Sequence, residues 1–160
     1  MNKFVLLLGL LLIFNLSKSD DDQMSTLYDH ATYLIEGMSQ TGQGLCAAVL
    51  RNNKATILPI IESIIADMKA GVELSTVLST YLTRLVFVDG FVLDCNPFAL
   101  LGVVNKFNSA QGIEKIGNLI SNNAADIFYY VQEFKNKETL DEKLVPLGHI
   151  LSIVLEYNVN

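Results

Sequence analysis

The sequence predicts an all-α fold: a single compact bundle of about six or seven helices held by one disulfide. Three observations carry that expectation. Apolar residues recur at three- and four-residue spacing through nearly every segment after Gln23, which is the period of one helix face. Only the stretch around Asp89-Gly90 suggests a hairpin, and no other segment offers it strands to pair with. Two cysteines, Cys46 and Cys95, stand behind an apolar leader, so an even count meets an oxidising compartment.

The leader has one early basic residue (Lys3), an apolar run from Phe4 to Phe14, and small residues at Ser17 and Ser19. That is the pattern of a secretory signal peptide over residues 1–19, with the helical domain occupying 20–160. The apolar run is well short of the ~20 residues that a membrane span needs. Cleavage takes the chain from 160 residues to 141, the basic side chains from 11 to 9 against 17 acidic ones, and the net charge from −6 to −8. Such a surface repels phosphate backbones and anionic bilayers, so nucleic acid is not an expected partner. The expected location is outside the cell or in the lumen of the secretory pathway. Cys46 and Cys95 allow one intramolecular pairing, closing a loop of roughly 50 residues that is worth about 4 kcal/mol in the chain-entropy model.

From Met24 the residues Leu27, Tyr28, Ala31, Leu34, Ile35 and Met38 share one helix face, with Ser25 or Thr26 placed to cap it. Gly37 to Gly44 reads as a linker. Its Gly42-Gln43-Gly44 follows a helix, lacks a third glycine and has no lysine in P-loop position, which excludes a nucleotide loop. A short helix over Leu45 to Leu50 carries Cys46, and two asparagines interrupt it. Thr56 is placed to cap the next helix, with Pro59 in its first turn, Gly71 at its end, and Ile57, Ile61, Ile64, Ile65 and Met68 as its stripe.

From Glu73 the stripe Leu74, Val77, Leu78, Tyr81, Leu82 and Leu85 continues in phase through Val88, Val92 and Cys95, which predicts one long helix. A membrane span over Leu85 to Val104 is excluded by Asp89, Asp94 and Pro97, since each aspartate costs roughly 2.5 to 3.5 kcal/mol near a helix centre. No stable membrane span is expected. Asn96 and Pro97 suit the start of a further helix with Phe98, Leu101, Val104 and Phe107 inside. Ser109 is placed to cap a long segment striped by Ile113, Ile116, Ile120, Ala124, Ile127, Val131 and Phe134, with a break near Asn122. Thr139 to Glu142 spells a capping box for the last helix, whose stripe is Leu140, Leu144, Leu147, Leu151 and Val154, with a kink at Pro146.

Chemistry-bearing residues are few. His149, Ser152 and Glu156 share one helix face, where a catalytic triad has no workable geometry, and His149 is expected to face solvent. His30 sits at the margin of an apolar stripe and is expected to be partly buried and hydrogen-bonded. Asp89 is expected to be hydrogen-bonded at the stripe's edge and Asp94 exposed. No enzyme activity, catalytic residue, metal site or cofactor is expected.

The informative feature is excess apolar surface: 51% hydrophobic against 18% charged residues. Leu85 to Cys95 is apolar on nearly every face, and such a helix must be covered all round. The first expectation is a non-enzymatic protein that holds a hydrophobic small molecule or lipid in an apolar cavity lined by Ile57, Ile61, Ile64, Phe98, Leu101, Ile120 and Ile127. The alternative is an interaction protein that associates with another copy of itself through Phe87 and Phe91 as one exposed ridge. Helices, a disulfide and apolar excess are similar to those of small secreted helical lipid carriers. The six-cysteine framework of saposin-like proteins and the multiple bridges of insect odorant carriers are lacking, so no family is implied.

Overall fold

The computed structural model describes residues 21–39, 44–97, 110–157 and 159. The leader, the stripe from Phe98 to Phe107 and the cap at Ser109 lie outside them. Eight helices run through the described residues: α1 (Asp21–Gly37), α2 (Leu45–Asn52), α3 (Lys54–Lys69), α4 (Leu74–Leu85), α5 (Phe91–Cys95), α6 (Ala110–Asn122), α7 (Ala124–Asn136) and α8 (Leu140–Leu155). The fold is all-α, and Cys46 and Cys95 are joined by a disulfide. The only β element among the described residues is an isolated parallel bridge between Ser39 and Val159.

Two Asn-Asn pairs punctuate the chain by the same device. Asn53 separates α2 from α3, and Asn123 separates α6 from α7. Each donates its side-chain amide to the carbonyl four residues back, Asn53 to Val49 at 2.9 Å and Asn123 to Leu119 at 2.8 Å. The backbone N–H of each asparagine reaches that same carbonyl at 3.0 Å. Local side-chain bonding of this kind competes with helix continuation. The predicted break near Asn122 falls at Asn123, and α3 starts at Lys54 instead of at a Thr56 cap. Pro59 consequently lies inside α3.

The long helix predicted through Val88, Val92 and Cys95 does not form. The chain leaves the helix after Leu85 and restarts at Phe91, preceded by Gly90 at φ +75°. Glycine adopts that left-handed conformation without steric cost, and a Cβ there would come within 2.9 Å of Val49 Cγ2. The Asp-Gly signal thus makes a turn between two helices. Asn96 is also left-handed, at φ 45°, and closes α5; Pro97 after it is helical, and the rest of the predicted helix lies outside the described residues. The capping box of α8 does form: Glu142 N–H donates to Thr139 Oγ1 at 3.3 Å and Thr139 N–H to Glu142 Oε2 at 3.2 Å.

Packing organises around α1 and α8, which cross closely; α6 and α7 lie against α8, while α2 and α3 lie against α1. The crossing depends on two glycines. A Cβ on Gly37 would lie 1.9 Å from the Val145 carbonyl oxygen, and one on Gly148 would lie 2.1 Å from that of Leu34. Neither backbone leaves room for a side chain, so the two helices meet main chain to main chain.

Two clusters form the core on the α1–α5 side. One gathers Met38, Cys46, Cys95, Tyr157 and Val159 around the disulfide. The other gathers Tyr28, Ile57, Leu85 and Val88. Leu50 and Phe91 pack against both. The C-terminal tail closes the first cluster, with Val159 N–H donating to the Met38 carbonyl at 3.3 Å. By contrast, α7 buries no residue fully.

Candidate functional site

A partly open apolar cavity of about 200 Å³ lies where the two clusters meet. α3 supplies Ile57 and Ile61 from successive turns of one face, and α2 supplies Cys46 and Leu50 by the same spacing. Ile35 from α1, Leu85 from the end of α4, and Phe91 and Cys95 from α5 complete most of the wall. Pro97 and Tyr157 finish it. The disulfide is thus part of the lining.

The wall is almost wholly carbon and sulfur. Among the described residues Tyr157 brings the one polar side chain, and its hydroxyl is committed, donating to the Cys95 carbonyl at 2.7 Å. Burial raises the pKa of that phenol above its ordinary value. Beside the cavity, Tyr28 donates to the Leu50 carbonyl at 2.8 Å, and burial, with a smaller effect from Asp29, pushes its pKa up to about 12. These described side chains present no free donor or acceptor to the cavity.

Of the residues predicted to line a cavity, Ile57 and Ile61 do so; Ile57 is 1% exposed. Ile64 is half-buried on α3 and does not line it. Ile120 is exposed on α6 and Ile127 half-buried on α7, helices that pack on α8. They are not brought together with Ile57 and Ile61. Phe98 and Leu101 lie outside the described residues. The lining residues that sequence missed, Leu50, Leu85, Phe91 and Tyr157, come from segments whose meeting depends on the Gly90 turn and the returning tail.

Phe87 and Phe91 do not form one ridge. The turn at 86–90 leaves Phe87 89% exposed while it swings Phe91 into the cavity wall. The exposed apolar residues at this corner are Val86, Phe87 and Leu93. Asp89 is exposed and Asp94 half-buried, the reverse of the expectation.

His149 is not solvated as predicted. Its ring stacks on Tyr130 with centroids 4.5 Å apart and planes at 21°. Burial lowers its pKa below the ordinary value, opposed in part by Glu133. Ser152 Oγ donates to the His149 backbone carbonyl at 2.8 Å, and Glu156 pairs with Lys115 at 2.6 Å. Both side chains are turned to partners other than the imidazole. His30 Nε2 lies 3.3 Å from Asp141 Oδ1, linking α1 to the first turn of α8.

Among the described residues no helix is long and apolar enough to cross a membrane, and no three His, Cys, Asp or Glu side chains converge as a metal site would need. Comparison of the chain with protein-family models, with curated proteins and with solved structures finds no match.

Proposed function

We propose that the protein is a secreted, non-enzymatic carrier of a small hydrophobic molecule, which it holds in the cavity between α1, α2, α3 and α5. The observation that carries this reading is a cavity of about 200 Å³ whose only polar side chain among the described residues, Tyr157, has its hydroxyl committed to the Cys95 carbonyl. Apolar cavities of about 150 Å³ stay dry and take up benzene. By proportion, the described cavity suits roughly eight carbon atoms. That favours a small ring, a short chain or the end of a longer tail over an entire lipid. Burying eight methylenes contributes about 6 kcal/mol before association costs, which limits the affinity to roughly the millimolar range once part of those costs is met. The disulfide in the wall fits an oxidising compartment, in keeping with secretion.

Thermal unfolding in toluene-saturated buffer tests the proposal. A ligand that binds only the folded state raises the midpoint by several degrees. Ile61→Phe, which fills the cavity from its own wall, is expected to remove that rise. A midpoint that toluene leaves unchanged in the parent protein defeats the proposal.

A second reading, self-association, draws on the corner where Phe87 is 89% and Leu93 79% exposed. Large exposed apolar side chains side by side are a common mark of an interface. Sedimentation of the parent and of a Phe87→Ser, Leu93→Ser double variant separates this reading: a dimer lost in the variant supports it, and a monomeric parent rejects it.

A further inference from the structure

We propose that the cleft between α7 and α8 is a second binding site, for a small organic cation carrying an ammonium group. The cleft holds about 370 Å³, within the usual range for small-molecule sites. It shares no residue with the apolar cavity.

Its walls are aromatic. Tyr129 and Tyr130 meet at 5.3 Å with their planes at 73°, so the two rings make a corner. The His149 ring, which also lines the cleft, stacks on Tyr130. Tyr129 remains 58% exposed. Faces of tyrosine rings attract cations through the ring quadrupole.

The charge in the cleft favours a cation as well. Glu142 is occupied by the capping box, and the field of Lys137 falls on it. Glu133, about one turn beyond the two tyrosines, lines the cleft together with Glu142 and Lys137, so two carboxylates face one ammonium there. Burial of His149 disfavours the charged form of its imidazole, opposed in part by Glu133. The chain's net charge of −6 draws cations toward the surface and repels anions. Val145 and Pro146 supply an apolar floor for the carbon part of the ligand.

Tryptamine is the probe. The chain has no tryptophan, so selectively excited indole emission reports the ligand alone. Titration is expected to give saturable binding of one tryptamine per chain, while indole-3-propionate, with the same ring on a carboxylate, does not bind. Glu133→Gln is expected to weaken tryptamine by about tenfold or more, the usual effect of losing a charge-assisted contact. Tyr129→Leu weakens it too, although apolar area is retained. Circular dichroism of both variants confirms that they fold, and Ile61→Phe, which closes the other cavity, leaves tryptamine binding unchanged. The proposal is overturned if tryptamine does not bind, if indole-3-propionate binds equally, if Glu133→Gln binds as tightly as the parent, or if Ile61→Phe abolishes binding.

Discussion

Gly37 and Gly148 face each other across the α1–α8 crossing, so close that a Cβ on Gly148 would lie 2.9 Å from the Gly37 Cα. The clash at both positions is with backbone, which has no rotamer to yield.

Gly148→Ala is therefore expected to lose about 1–3 kcal/mol through overpacking. Gly117, in the middle of α6, offers the contrast, because a Cβ there meets nothing within 4 Å. Gly117→Ala is expected to gain about 0.4–1 kcal/mol by restricting the unfolded chain. Urea unfolding of the two variants checks the pair, and equal effects would show that the crossing is not tight.

Reduction or replacement of the Cys46–Cys95 disulfide is expected to cost about 2–4 kcal/mol. It should also impair toluene uptake, because both cysteines line the cavity. Thiol titration of the denatured, unreduced protein should find no free cysteine, and two reactive thiols per chain would contradict the bridge.

Acid stability should depend on His149. Its pKa is lowered in the fold, so below the ordinary value of 6.5 the unfolded chain binds more protons than the folded one. The stabilising contribution is full above that pH and is lost as the pH falls through it toward the folded value. His149→Phe keeps the stack on Tyr130 and is expected to flatten this part of the pH profile. An unchanged profile would mean that the imidazole is as solvated as the sequence suggests.

Alkaline stability should follow Tyr28. With its pKa pushed up from 10.0 to about 12, mainly by burial, the folded phenol keeps a proton that the unfolded one gives up. Stability is full below 10.0 and falls as the pH rises toward 12. Tyr28→Phe is expected to be less stable at neutral pH by about 1 kcal/mol for the lost bond to Leu50, and less sensitive to alkali across that window.

Local signals were legible wherever a short motif contains its own physics. The Thr139–Glu142 capping box and the asparagine near the α6–α7 break needed only neighbouring residues. The Asp89-Gly90 turn was visible but lost to the apolar phase running through it, although φ +75° at Gly90 is the deciding fact. The site was less legible. Phe87 and Phe91 share a ridge only if the helix is continuous, so the misplaced turn misplaced both. Tyr157 and Leu50 reach the cavity through the fold-back of the tail and the disulfide, contacts between residues far apart in the chain. The Gly37–Gly148 crossing left no mark in hydrophobic periodicity, because it depends on absent side chains.

Native mass spectrometry of the purified protein is the decisive measurement. The expected result is a chain carrying one small, extractable apolar molecule in the cavity walled by Ile57, Ile61 and the Cys46–Cys95 disulfide, with the extra mass absent from Ile61→Phe. A ligand-free monomer, or a ligand-free dimer that dissociates when Phe87 and Leu93 become serine, would contradict it.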